Sequence, residues 1–298
     1  MSGLAFGLTL AVAASVALNA GFLLQHAGSS GAPAVTVRRP IATLRGLLAS
    51  RLWVAGLALG LAGWALHVDA LSHAPLSLVQ AFVAGGLVLA VPLALAFGHR
   101  LERGELGAVV LLAAALALLS TGARAGHVRT VDGPALAVAL GAAGALAAGL
   151  AALAPRAGAG ALGAAGGVLY GAGDMAVKAL TTVAHHGGAA AVARSPWLAA
   201  AALATAGAFF CFQRALQTGA AVPVIALMTA ATNVVSILGG LAVLGDPLGR
   251  TPALAALHVG AFALVVVAAW RLAPTQATLQ GPHPAPSRPP ATPAARRA

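Results

Sequence analysis

The sequence predicts an all-α polytopic membrane protein of about nine transmembrane helices, built as an inverted-topology repeat of four plus five helices. Three observations carry that prediction. The chain of 298 residues is 60% hydrophobic and 8% charged, with a mean hydropathy of +0.92, whereas a soluble domain carries about 25% charged residues. Nine apolar runs are long enough to cross a bilayer core, which takes roughly 20 helical residues. The arginines fall between these runs in alternation, rich on one side and poor on the other.

In chain order the runs are 3–25, 52–71, 75–97, 106–122, 134–154, 161–183, 196–213, 221–244 and 253–271. The first 20 residues lack the positive n-region of a secretory signal, so they read as a retained span. Between the first two runs, Ile41, Leu44, Leu47 and Leu48 are spaced for one helix face, with Arg45 and Arg51 nearby. That pattern predicts a short interfacial helix. The third and eighth runs contain no charge, and Pro92 and Pro223 are expected to kink or start them. The fifth run is mostly Ala, Gly and Leu, and the sixth carries two opposite charges. From Pro274 the chain is rich in Pro, Ala, Thr and Arg and is expected to be disordered. The expected division is thus a four-helix repeat over 1–122, a five-helix repeat over 134–271 and a cytoplasmic tail over 272–298.

Arg38, Arg39, Arg45, Arg51, Arg100, Arg103, Arg156, Arg214, Arg271, Arg288, Arg296 and Arg297 fall on one set of sides, twelve in all. Arg124, Arg129, Arg194 and Arg250 fall on the other. The positive-inside rule then places the N-terminus outside and the C-terminus in the cytoplasm, of an inner or plasma membrane. An odd number of spans requires opposite termini, so count and charge agree. The net charge of +11 is spread over these connections and forms no basic patch, so nucleic acid is not an expected partner. The expected partners are the lipid bilayer, a small-molecule or ion substrate and a second copy of the chain. Cys211 is the only cysteine, which excludes an internal disulfide.

The stretch Gly171-Ala-Gly-Asp-Met-Ala-Val-Lys-Ala-Leu180 stands out. Asp174 and the chain's only lysine, Lys178, lie inside an apolar run, where a charge costs roughly 3 kcal/mol or more at bilayer centre. Their i, i+4 spacing puts them on one helix face. They read either as a substrate or coupling-ion site or as a closed internal pair with Lys178 reaching toward the outer interface. Gly166, Gly167, Gly171 and Gly173 on the same helix would let another backbone approach. Tyr170, one turn earlier, could donate to Asp174. Asn19, Gln25 and His26 belong to the first span, and Gln80, Thr229, Thr232 and Asn233 to the two uncharged spans. They are candidates to line a substrate path or simply to bond between helices. His67 and Asp69 do not share a helix face and read as an interfacial pair at a span end, or as a gate. Adjacent His185 and His186 read as solvated loop residues. His258 has no second His or Cys at metal-ligand spacing. If a divalent cation were carried, Asp174 and Asp69 would be the only acids within spans to meet it. There is no Walker A motif, no paired catalytic carboxylates and no supported Ser/His/Asp arrangement, so no enzyme activity and no cofactor are expected.

An internal repeat is also visible. Ala70-Leu71 ends the second span as Ala215-Leu216 ends the seventh, and a long uncharged span follows each. Aligning Ala20-Gly21 with Ala172-Gly173 extends the match and sets His26 opposite Lys178. Corresponding spans cross in opposite directions, the signature of an inverted repeat with a site near the midplane at the repeat interface.

The unit Ala215-Leu-Gln-Thr-Gly-Ala-Ala-Val-Pro-Val-Ile225, running on to Gly245-Asp-Pro-Leu248, resembles the second half of drug/metabolite transporter (EamA-like) superfamily proteins. Gly21-Phe-Leu-Leu-Gln-His26, Leu52-Trp53-Val-Ala-Gly56 and Ala74-Pro-Leu-Ser-Leu-Val79 look most like the NIPA-type magnesium transporter branch. The resemblance covers most of residues 1–271. Gly245-Asp246 stands where the superfamily usually has Gly-Glu-Arg-Leu. Trp64 and His26 stand where the branch usually has an acid and a lysine. The resemblance implies secondary transport of a small solute by alternating access, with magnesium or another divalent cation as one cargo. The alternative from another class is a non-transporting accessory or lipid-binding membrane protein.

Overall fold

A computed structural model describes residues 3–29, 32, 33, 35, 36, 38–85, 107, 110, 111, 114, 115, 117–119, 131–219, 221–247 and 251–278. Its elements are helices: α1 (Gly3–Ser29), α2 (Pro40–Leu48), α3 (Arg51–His73), α4 (Leu76–Gly85), α5 (Gly133–Ala157), α6 (Ala159–Arg194), α7 (Pro196–Thr218), α8 (Ala221–Ala242) and α9 (Pro252–Thr278). Four of them, α1, α3, α5 and α7, are long and apolar enough to cross a membrane, and shorter apolar helices cover 227–242 and 252–265. Large apolar side chains stand exposed along them, among them Leu61, Trp64, Val138, Leu146 and Leu203. Such a surface belongs in lipid rather than water, so this is a membrane-embedded protein.

Local chemistry sets the helix ends. Ser50 accepts from the Trp53 amide at the start of α3, Asp132 from Ala135 at the start of α5 and Ser195 from Trp197 at the start of α7. Each satisfies an amide that would otherwise lack a partner. Gly158, at φ +80°, separates α5 from α6; only glycine takes that conformation without strain. The predicted interfacial helix is α2, with Leu47 and Thr43 buried against the body and Ile41, Leu44 and Leu48 outward.

Two boundaries differ from expectation. The sixth run was expected to end near residue 183, but α6 continues to Arg194 with a break at Gly188 (φ +65°). His185 and His186 therefore sit on a helical extension rather than in a loop. Hydropathy marks where a helix leaves lipid, whereas backbone hydrogen bonds decide where it stops. α9 likewise runs to Thr278, past the expected start of the tail. Pro92 and most of the run 106–122 lie outside the described residues. The described positions between 107 and 119 are helical, and Ala115 and Leu119 pack with Leu78, Ala81, Phe262 and Val265.

Small residues allow the helices to approach closely. α1 packs along α3 in the opposite direction, with Gly21 against Gly56 and Gly60, and Gly63 against Leu18. α6 packs on α5, α7 and α8. Gly163 lies on Val224 and Gly171 on Thr232, so α6 and α8 run in the same direction. α4 also packs on α1. The helices before residue 122 meet those after 134 through α4 on α8, α3 on α6 and α1 on α7.

Candidate functional site

Asp174 projects from α6 at the place where α3, α4 and α8 converge. Its level is set by the glycine face of α6: a side chain at Gly171 would lie 2.9 Å from the Thr232 carbonyl. The close approach brings Ser236, one turn further along α8, within reach. Asp174 Oδ2 accepts from Gln80 Nε2 at 2.5 Å and from Ser236 Oγ at 3.1 Å. Oδ1 lies 3.3 Å from His67 Nε2. The side chains of His67 and Asp174 are 5% and 15% exposed, so this contact is shielded from bulk solvent. Neither ring nitrogen of His67 makes a hydrogen bond among the described residues, so its approach to Asp174 is a close contact rather than a hydrogen bond.

Lys178 does not pair with Asp174. No ion pair joins them among the described residues. Lys178 Nζ donates to the carbonyls of Leu71 at 2.6 Å and Ala74 at 2.9 Å. The last carbonyls of a helix lack intrahelical donors, and they carry partial negative charge that favours a cation. Asp246, just past α8, accepts from the Ser77 amide at 2.6 Å at the beginning of α4. The tight α3–α4 connection is thereby held at both ends by charged side chains from the later part of the chain. The two readings of the charge pair thus separate: Asp174 lies in an interhelical cluster, and Lys178 caps a helix toward the end of the bundle.

The other expected residues divide as follows. Gln80 joins Asp174 directly. Tyr170 does not: it makes no hydrogen bond to Asp174 among the described residues, and its ring meets Phe212 edge-on at 6.4 Å. Phe212 lies within the small cluster on that side of α6, and the ring follows it. Asn19 Nδ2 bonds within α1 to the Ser15 carbonyl and hydroxyl, while Ser15 Oγ donates to the Val83 carbonyl of α4. His26 lies further along α1, near the level where Gly28 meets Trp53, well away from the His67 level. Asn233 is 1% exposed, one turn before Ser236 on α8, and its Nδ2 has no partner among the described residues. Asp69 is half-exposed and bonds to His73 and Ser72, so the two span acids are not brought together. Among the described residues no group of three or more His, Cys, Asp or Glu side chains is placed to hold a metal ion.

Sequence reasoning missed His67 and Ser236 as members of the site. A signal existed for both. Gly56, Gly60, Gly63 and His67 recur at helical spacing on the face that α3 buries, whereas Asp69 falls off it. Ser236 follows Thr232 and Asn233 at i+4 and i+3 on α8. A second buried network was also unforeseen. Trp53 Nε1 donates to Gln213 Oε1, Gln213 Nε2 to Gln25 Oε1, and Gln25 Nε2 to the Gly56 carbonyl, tying α1, α3 and α7.

Neither a protein-family model, a curated protein nor a solved structure matches the chain.

Proposed function

We propose that the protein is a secondary transporter of a small solute, working by alternating access in the manner of the drug/metabolite transporter superfamily it resembles. One observation carries the reading. The carboxylate of Asp174, from the second proposed repeat, accepts from Gln80 of the first and from Ser236 across α8, and lies against His67 of the first. A charge inside apolar helices is costly. A charge whose partners come from both halves is poised to change partners when the halves rock. Transporters built from inverted repeats place their sites at that interface.

The packing supports the inverted repeat. α1 contacts α3 and α4, as α6 contacts α7 and α8. The sequence match Ala70-Leu71 with Ala215-Leu216 falls on four buried residues. In this reading Asp174 is the substrate or coupling-ion site, with Gln80 and Ser236 lining it and Asn233 offering a free donor one turn away. Lys178 acts on the α3–α4 connection and not on the cargo.

Magnesium transport has weaker support. Mg²⁺ demands near-octahedral oxygen coordination, and Asp174 faces an imidazole nitrogen and an amide donor, with no second carboxylate beside it among the described residues. An accessory or lipid-binding role would leave the cluster static.

The test is flux. Purified protein in proteoliposomes, offered a panel of organic cations, amino acids, sugars and Mg²⁺, is expected to show saturable uptake of one class. Asp174→Asn should abolish that uptake, and Lys178→Met should slow it without changing its specificity. Flux unaltered in Asp174→Asn removes the residue from the mechanism. Uptake of Mg²⁺ alone selects the divalent reading, and no uptake by any probe favours the accessory one.

A further inference from the structure

The segment between α1 and α3 is tied to the body by bonds that leave its cations outside. Gln217, in the last turn of α7, donates to the Pro33 carbonyl at 3.0 Å and accepts from the Val35 amide at 2.6 Å. Thr43 Oγ1 donates to the Thr36 carbonyl and accepts from the Thr36 amide, both at 3.2 Å. On α2, Thr43 and Leu47 stand one turn apart and are buried, and Leu47 packs with Val35 and Trp53. One face of α2 is thus fixed to the protein.

The other face is apolar and uncovered. Ile41, Leu44 and Leu48 follow one another at i, i+3 and i+7, and Ile41 is 82% exposed. Leu52, exposed at the start of α3, extends that surface. Arg45 lies beside the stripe, Arg38 and Arg39 precede it and Arg51 follows it, and all four are exposed. Their side chains make no hydrogen bond or ion pair among the described residues. The acids among the described residues stand elsewhere. Asp69, Asp132 and Asp246 lie toward the opposite end of the bundle, and Asp174 lies between the ends.

We propose that α2 and the start of α3 form a docking surface for an anionic phospholipid, with Ile41, Leu44 and Leu48 among the acyl chains and Arg38, Arg39, Arg45 and Arg51 on the head-group phosphates. An amphipathic helix in the membrane interface buries its apolar face at the boundary of head groups and chains. Charge complementarity selects the occupant. A zwitterionic lipid would leave four cations without a counter-charge, whereas basic residues on such a helix attract anionic head groups. The guanidinium fork matches phosphate oxygens two at a time. The positive-inside bias accounts for arginines on this side of the membrane. It does not account for an anchored helix that sets them around an apolar stripe. A soluble acidic partner would answer the charge alone; a lipid answers the charge with its phosphate and the stripe with its chains. The surface is separate from the Asp174 cluster and does not depend on the transport reading.

The experiment is native mass spectrometry of the full-length protein in detergent, titrated with phosphatidylglycerol or with phosphatidylcholine of the same acyl chains. The dissociation constant of the tightest-bound lipid is read for each. Phosphatidylglycerol is expected to bind more tightly by about tenfold or more, since each arginine near an anionic head group strengthens binding on the order of fivefold. Arg45→Gln should reduce that preference several-fold. The combined Arg38→Gln, Arg39→Gln, Arg45→Gln and Arg51→Gln variant should bind the two lipids alike, while Arg194→Gln, at the other end of the bundle, should keep the wild-type preference. Equal binding of both lipids by the wild type overturns the proposal. So does a preference that survives in the combined variant, or one lost equally in Arg194→Gln. If the combined variant fails to fold, wild type and Arg45→Gln decide at raised salt. Between about 0.1 M and about 1 M the screening length falls from about 10 to about 3 Å, so the preference should collapse and the two proteins converge; a preference indifferent to salt overturns the proposal.

Discussion

Lys178 shows how a spacing rule can identify the right residue and the wrong partner. The i, i+4 pattern places Asp174 and Lys178 one turn apart on a single helix, α6. It does not reveal that α3 ends beside Lys178, exposing carbonyls that attract its ammonium more directly than a carboxylate already engaged by Gln80, Ser236 and His67. That competition is tertiary, and it lies beyond any single-helix argument. It has a consequence for stability. Lys178 is 4% exposed and makes two hydrogen bonds to backbone. Loss of a buried charged donor leaves acceptors unsatisfied, at a cost of about 1–3 kcal/mol. Lys178→Met is therefore expected to lower the midpoint of thermal unfolding in detergent, whereas a lysine held only by Asp174 would make the two substitutions interdependent. Because the partners of Asp174 and Lys178 are disjoint, Asp174→Asn and Lys178→Met should combine additively to within about 0.5 kcal/mol. A larger coupling energy in the double-mutant cycle would restore the direct pair.

Among the elements, the sequence revealed helices and their starts more readily than their neighbours. Ser50, Asp132 and Ser195 mark helix beginnings because their side chains accept from amides that would otherwise go unpaired. Glycine is less easily read, because in these helices it serves opposite ends. Gly171 lets α8 approach: a side chain there would meet the Thr232 carbonyl at 2.9 Å and Val235 Cβ at 2.7 Å. Gly141 on α5 faces open space. In sequence Gly171 stands among the glycines expected to admit another backbone, whereas Gly141 lies in a run of mostly Ala, Gly and Leu that carries no such mark. Overpacking a close contact costs about 1–3 kcal/mol, so Gly171→Leu should destabilise the protein by that order and disturb the Ser236–Asp174 bond. Gly141→Leu should be neutral within about 0.5 kcal/mol or slightly stabilising. Thermal unfolding of the two variants measures the contrast. Equal effects would mean that α6 and α8 are not in close contact. The site itself was half legible for the same reason: Asp174 and Gln80 are conspicuous in apolar runs, while His67 and Ser236 enter it only because α3 and α8 pack at those heights.

At the scale of the molecule, the connections fall into two faces. Ser77 meets Asp246, the start of α5 at Gly133 meets Trp197 at the start of α7, and Phe6 meets His73. On the opposite face, Gln217 bonds to Pro33 and Val35, and Gly219 meets Ala159. These are the groupings expected from alternating spans, and the arginines among the described residues distinguish them: the face of Gln217 and Ala159 carries Arg38, Arg39, Arg45, Arg51, Arg156 and Arg214, while the face of Trp197 carries Arg194. The packing gives which connections share a side, but not which side is cytoplasm. The charge bias supplies that direction, since short basic loops are retained inside. A fluorescent protein fused after Ala298 should therefore fold and fluoresce in the cytoplasm, and a phosphatase fused after Asp132 should be active outside. The reverse result in both fusions would invert the molecule as a whole without altering its packing; Lys178 and the α3–α4 connection would then close the cytoplasmic end. A cytoplasmic location for both reporters would break the alternation between residues 132 and 298, and with it the odd number of crossings on which the inverted repeat depends.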